Sequence, residues 1–372
     1  MGEALDLSYG QMGLISTCNF VGYLVAVLLS GTFAKRFGAR GVISSALLLI
    51  GFSMVLIGLA ENFYIIIFLY IVTGMGSALA NVLIMGLVSV WFSSHKRGKA
   101  AGFVVIGSGF AIILSGKLVP YLNGSSENGW RMSWGVLGSL VLAVAVVCYL
   151  VLRNTPQDKG LLPVGSGEIV TGRSSSCVAE PVEVRPAVLY HCAALYFLFG
   201  FTYVIYVTFI VTSMVQERGF SEAVAGNFWA WVGFLSLFSG PVFGALSDRF
   251  GRKAGLITVF CFQTLAYLFV GFDLPNVFLY LSIGCFGIVA WSIPSIMAAL
   301  VGDLVGPQKA VAVFGFVTFI FGLGQILGPS LAGILAERSG GFSLSFLMAA
   351  VLTALAVVLS AFLPVGGTRL SR

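Results

Sequence analysis

Charge is what this chain has least of. Asp, Glu, Lys and Arg supply 9% of its 372 residues, against about 25% in a soluble domain. Hydrophobic residues supply 58%. So few solvated groups cannot cover so much apolar surface, which excludes a water-soluble globule and makes the bilayer the solvent. Histidine is nearly missing, with two, and the six cysteines include no C-x-x-C pair. Metal centres need such ligands at close spacing, so neither a metal nor a cofactor is expected. No nucleophile–base cluster stands out, so an enzyme is not expected either. Cys18, Cys148, Cys192, Cys261 and Cys285 lie in apolar runs and Cys177 in a central polar stretch; all read as free thiols, five of them small buried hydrophobes. A basic n-region is also lacking: the start, Met1–Gln11, is acidic and polar, so no cleavable signal peptide is expected.

Long apolar runs are what the chain does have. Eleven can be drawn, at about 10–34, 41–60, 63–92, 100–122, 131–152, 188–214, 222–246, 254–272, 276–302, 309–334 and 341–363. At about 1.5 Å per helical residue, each reaches across ~30 Å of hydrocarbon. Runs this long are not membrane β-strands, which alternate over ~10 residues. The expected fold is all-α and polytopic. Forty-seven glycines suit helices that approach each other closely in lipid.

The net charge of +6 is spread over loops rather than gathered in a patch, so nucleic acid is not an expected partner. The expected partners are a small-molecule substrate and the lipid bilayer, with no obligate protein partner evident. Alternating the loops puts sixteen Lys and Arg on one side and four (Lys117, Arg131, Arg218, Arg338) on the other. By the positive-inside rule the rich side is cytoplasmic. The N-terminus is then outside and the C-terminus and central loop are inside, in a bacterial inner (plasma) membrane.

Residues 153–187 form the one long non-apolar segment, rich in Pro, Gly and Ser, and read as a cytoplasmic linker. The domains expected are a five-span half at 1–152, the linker at 153–187, and a six-span half at 188–372. An internal repeat supports two halves. Gly244–Lys253 reads GALSDRFGRK, and Gly31–Arg40 reads GTFAKRFGAR. Both join two apolar runs. In the second half this loop follows the second run, but in the first half it follows the first. One helix is therefore expected to be missing from the N-terminus, with residues 1–9 as the outer loop after it.

The pattern at Gly244, Asp248, Arg249, Gly251, Arg252 and Lys253 resembles the loop signature of the major facilitator superfamily of transporters. The first copy departs from it, with Lys35 where the family has Asp and Ala39 where it has Arg. Gly315–Gly333 is similar to the family's Gly-Pro helix pattern, with Gly324, Gly328 and Pro329 at its kink. Leu7–Leu24, Gly107–Gly116 and Gly129–Trp134 look like an uncharacterised bacterial group near the oxalate–formate antiporters. The resemblance implies two pseudo-symmetric helical halves, a central cavity walled by 63–92, 188–214 and 276–302, and alternating access. It also implies that Asp248 acts as a latch against the start of span 100–122, near Arg97 and Lys99. Lys35 at the matching place in the first copy would make the latch one-sided.

The function expected is secondary active transport of a small organic solute. The alternatives are a drug or metabolite efflux pump, or a truncated non-transporting membrane protein. Polar residues deep in membrane helices usually face the bundle interior, which makes Asn19, Tyr23, Asn81, Tyr203, Tyr206, Trp291 and Gln325 the substrate-cavity candidates. Tyr196, Phe199, Tyr203 and Tyr206 share one helical face. The competing reading of any one of them is an interhelical hydrogen bond, worth about 0.6 kcal/mol. No Asp, Glu, Lys or Arg stands at mid-depth in any run, so the expected cavity is neutral, aromatic and amide-lined.

Overall fold

The computed structural model describes residues 1–92, 94–126, 128–165 and 186–363, with side chains at 3, 89, 94–99, 101, 102, 105 and 306–312 left aside. Ten α-helices follow one another: α1 (Tyr9–Leu59), α2 (Phe63–Trp91), α3 (Ser94–Asn123), α4 (Gly129–Val151), α5 (Pro186–Gln216), α6 (Glu222–Phe250), α7 (Arg252–Gly271), α8 (Asn276–Val289), α9 (Ser292–Ser339) and α10 (Ser343–Ala361). Nine stretches of the described residues are long and apolar enough to cross a membrane. Tyr9–Leu59 contains two of the runs read from the sequence, and α3 holds the run read at 100–122.

Local chemistry explains where helices start and break. Ser8 caps α1 in a capping box, its backbone N–H donating to Gln11 Oε1 at 2.9 Å while its Oγ accepts from Gln11 N at 3.3 Å. Asn62 Oδ1 accepts from Tyr64 N at the start of α2. Within α1 the helix is interrupted at Gly38, whose φ of 71° and ψ of 153° lie outside helical space. Gly251, between α6 and α7, has φ 94° and ψ 151°. Both are the glycine of an Arg-Phe-Gly triplet, so the repeat seen as letters is also a repeat of backbone conformation. A β-carbon is disfavoured at such φ, which explains why glycine holds both turns.

The span 276–305 is broken at Ala290 and Trp291, between α8 and α9. Pro294 has no N–H to offer the carbonyl four residues back, so the helix loses the bond that would carry it through Ala290. Ser239 of α6 braces the break: its Oγ accepts from Trp291 N at 3.2 Å, and its carbonyl accepts from Ser292 Oγ at 2.9 Å. The 48 residues of α9 hold the end of that span and the whole of the next, Val313–Ser339.

The chain packs as two units. The first holds α1–α4 with the opening turn of α6, up to Asn227; the second holds α5, the rest of α6 and α7–α10. In the first unit α1 and α2 meet backbone to backbone. A β-carbon on Gly22 would stand 2.1 Å from the Ile71 carbonyl oxygen, and one on Gly74 would stand 2.0 Å from that of Asn19. In the second unit α5 meets α9 in the same manner at Gly324 and Gly328. Outer helix surfaces carry bare apolar side chains such as Leu28, Phe68, Phe103 and Val351. Surface of this kind and extent belongs against lipid.

Two arginines seal helix ends. Arg131 donates to the carbonyls of Gly58 and Ala60 at 3.0 and 3.2 Å, where α1 ends. Arg218 donates to those of Val270, Phe272 and Leu274, at 3.0, 3.0 and 3.3 Å, where α7 ends. Terminal carbonyls carry partial negative charge and no helical partner, so a guanidinium satisfies them well. Lys117 donates to Asn227 Oδ1 in the opening turn of α6.

Candidate functional site

Each unit holds its own group of the polar residues singled out in the sequence. In the first, Asn81 Nδ2 donates to the Tyr23 hydroxyl at 3.0 Å, joining α2 to α1. Asn81 is exposed and Tyr23 partly so. Asn19 donates to the Tyr70 carbonyl at 2.9 Å. Its amide thus serves the same helix contact that Gly74 makes close.

In the second unit, Tyr203, Trp291 and Gln325 come together from α5, the α8–α9 break and α9. Gln325 Nε2 donates to the Tyr203 hydroxyl at 3.5 Å. The Trp291 ring meets the Tyr203 ring edge to face, with centroids 5.7 Å apart. The Trp291 indole Nε1 is buried and has no acceptor among the described residues. Beneath them lies a stack of rings: Tyr196, Phe199 and Tyr203 of α5 lie nearly parallel to Phe321 of α9, at 4.5, 5.7 and 6.3 Å. Ser239 fixes the Trp291 backbone by accepting from its N–H.

Tyr206 belongs elsewhere. It is fully buried, its ring lies on Phe286 at 4.1 Å, and its hydroxyl shares a hydrogen bond with Ser282 Oγ at 2.9 Å. It shares a helical face with Tyr203 but packs inside the helices of its own unit.

The glycines of the Gly-Pro pattern have a packing duty. A β-carbon at Gly324 would stand 2.5 Å from the Phe197 oxygen, and one at Gly328 would stand 2.4 Å from that of Phe201. The helix runs on through Pro329.

The charged loop forms a triad. Arg252 donates from Nε to Asp303 Oδ2 at 2.8 Å, and from Nη1 to Ser247 Oγ at 3.0 Å and to Asp248 Oδ1. Asp248 is therefore engaged inside its own unit, while Arg97 and Lys99 lie among the side chains not described. Asp303, 51 residues beyond Arg252, was not visible as its partner in the sequence. The Arg249 guanidinium lies over the Phe250 ring at 5.5 Å; Gly244 is unhindered, and Lys253 is exposed. The first copy is tied differently. Arg40 donates from Nε to the Tyr149 carbonyl and from its backbone N to Asn154 Oδ1, both at 2.8 Å, and lies over the Tyr149 ring. Neither Tyr149 nor Asn154 carries a sequence signal for that role.

A separate pocket of about 440 Å³ lies where α5, α7 and α9 end, lined by Glu217, Arg218, Asp273 and Ser339–Gly341. Two of its polar walls are already committed: Glu217 accepts from Ser213 Oγ and from Phe342 N, both at 2.6 Å, and Arg218 caps α7. No group of three or more His, Cys, Asp or Glu among the described residues could hold a metal ion.

The chain is 25% identical over 386 residues to a hexuronate transporter of Bacillus subtilis, covering 96% of this chain and 87% of that one. It is 24% identical to a probable sulfoacetate transporter of Cupriavidus necator, covering 97% and 86%. Its fold is shared with the crystal structure of a bacterial homologue of the human lysosomal transporter Spinster, with a TM-score of 0.74 at 15% identity, over 97% and 90% of the two chains. It is shared too with a D-xylose–proton symporter, TM-score 0.73 at 15% identity, over 95% and 87%. The similarity to the oxalate–formate antiporters does not emerge among these relatives. Residues 1–361 match the family described as the uncharacterised MFS-type transporter YbfB. The chain thus belongs to the MFS-type transporters of the major facilitator superfamily: an integral membrane protein and not an enzyme, moving small organic solutes by alternating access.

Proposed function

We propose that Tyr203, Trp291 and Gln325 bind the transported solute, and that this solute is small, rich in acceptor oxygens and presents one apolar face. The carrying observation is the Trp291 indole N–H, buried beside a polar pair with no acceptor among the described residues. A buried donor without a partner is costly, and a solute oxygen would relieve that cost. The stacked rings of Tyr196, Phe199, Tyr203 and Phe321 offer the floor against which a ring or carbon skeleton packs. With no ionised side chain at mid-depth, recognition rests on neutral hydrogen bonds. The relatives named for hexuronate, sulfoacetate and phosphoglycerate carry oxygen-rich solutes, which supports the same class. The Asn81–Tyr23 pair of the first unit is a second candidate contact.

A thermal-shift screen of the purified protein against hexuronates, sulfoacetate, phosphoglycerate, neutral sugars and nucleosides tests this. A ligand at 100 times its Kd stabilises by about 2.7 kcal/mol, a readily measured rise in Tm. Trp291→Phe and Gln325→Leu should each abolish the rise while leaving the unliganded Tm close to the parent's. An undiminished rise in both variants would remove the cluster from the site.

The orientation follows from the sixteen-to-four bias of Lys and Arg: N-terminus outside, C-terminus and central segment in the cytoplasm of a bacterial inner membrane. Along the chain, the segment 153–187 links the two halves. Reporter fusions at each terminus check this, and a cytoplasmic signal from the N-terminal fusion would reverse it.

A further inference from the structure

Gln263 stands midway along the 20 residues of α7 and has no exposed surface. Neither its Nε2 nor its Oε1 has a hydrogen-bond partner among the described residues. One turn on, Tyr267 is also fully buried, and its hydroxyl makes no hydrogen bond of good geometry there either. The Tyr267 ring touches Tyr206 of α5 and Phe286 of α8, at centroid distances of 5.7 and 6.2 Å. The neighbouring hydroxyls have no proton left to give, although the Thr202 oxygen can still accept from Tyr267. Thr202, beside Tyr267, gives its proton to the Leu198 carbonyl at 2.8 Å. Ser282 accepts from or donates to Tyr206 at 2.9 Å and reaches the Ala266 carbonyl at 2.7 Å.

An amide has two N–H donors and a carbonyl acceptor, and an unsatisfied group in hydrocarbon is far costlier than one at a surface. Whatever answers Gln263 must both donate and accept, and must fit inside a packed helical unit. A metal cation or an ammonium group would take the carbonyl but meet the amide protons head on. An anion would take the protons but repel the carbonyl. Water does both and is small enough. We propose that Gln263 holds a buried water, shared with the Tyr267 hydroxyl, as a polar joint between α7 and the α5 and α8 helices of the second unit. The site shares no residue with the Tyr203–Trp291–Gln325 cluster and does not depend on the solute reading.

Radiolytic footprinting of the full chain in lipid nanodiscs tests the proposal, because a bound water activated in place oxidises the side chains it touches. Tyr267 should be modified well above Phe209, an equally buried ring that serves as the standard. Modification of Tyr267 at or below the Phe209 level in the parent protein overturns the proposal without recourse to any variant. Gln263→Leu should bring Tyr267 down to that level and, by removing one anchor of the water, lower Tm by about 2–4 °C. A rise in Tm would mean that the amide was an unrelieved orphan, and would also overturn it. Exchange of Na+ and K+ for choline should leave the parent's Tm unchanged; a fall would identify the occupant as a cation and sink the water assignment.

Discussion

Gly74→Leu is expected to yield no monodisperse protein after extraction in mild detergent. A β-carbon at Gly74 would stand 2.0 Å from the Asn19 carbonyl oxygen and 2.9 Å from its carbon. Those are backbone atoms of α1, so no rotamer change relieves the clash. A comfortable carbon–oxygen contact is about 3.3 Å or more, so α1 and α2 would have to part by roughly 1 Å. Parting would strip the Asn19–Tyr70 bond of 2.9 Å and the reciprocal contact at Gly22. Overpacking by a methylene or two costs about 1–3 kcal/mol where side chains can yield; here they cannot, and a whole leucine is added to a fold stable by only about 5–15 kcal/mol. Gly86→Leu is the matched control on the same helix, since nothing lies within 4 Å of its added carbon. Size-exclusion profiles of the two variants decide the matter. A sharp Gly74→Leu peak with a parent-like Tm would show that the helices do not meet as described.

Tyr206→Ala should lose about 3–5 kcal/mol, the range for deleting a buried aromatic ring, and with it most of the recoverable protein. Its ring is fully buried between Phe286, Tyr267 and Phe346 at 4.1, 5.7 and 6.1 Å. Tyr206→Phe keeps the ring and removes only the bond to Ser282. Ser282 Oγ still donates to the Ala266 carbonyl at 2.7 Å, so no group is orphaned and the cost should fall to about 0.6 kcal/mol. Solute-induced stabilisation should survive in Tyr206→Phe, because the hydroxyl faces Ser282 inside the unit. Thermal unfolding of both variants with and without solute checks this. Equal destabilisation by the two substitutions would mean that the hydroxyl, not the ring, carries the packing.

The contrast between Tyr203 and Tyr206 shows how far helical periodicity reaches. Both phenols lie on the face that also carries Tyr196 and Phe199, and a period of 3.6 places them together. Periodicity does not say what lies opposite. Tyr203 meets Trp291 and Gln325, whereas Tyr206, one turn nearer the end of α5, meets Ser282. Asn19 and Asn81 differ in the same way: one amide is used up on the Tyr70 backbone, while the other bonds a side chain and stays exposed. Ser239 and Gln263 were both in view as letters. Nothing in their neighbourhood set them apart from the small polar residues that TM helices tolerate.

What the sequence determined by itself is what depends on local or bulk properties. The bilayer as solvent follows from composition, the span count from lengths of apolar run, and the two matching turns from Arg-Phe-Gly triplets whose glycines adopt positive φ at Gly38 and Gly251. The family signature at Gly244–Lys253 is likewise contiguous, and the family match bears out the reading of a transporter. Only the tertiary structure decided the pairings. Arg252 takes Asp303 from 51 residues away, Arg40 takes Tyr149 from 109 residues away, and the Trp291 indole is left without an acceptor among the described residues. The reason is physical. In helices that are apolar on nearly every side, no polar face marks the inside, so the sequence cannot say which small groove a side chain enters. That choice is made by glycine contacts such as Gly22 with Gly74, and by the break that Pro294 imposes on one span, and both act only once the helices are side by side.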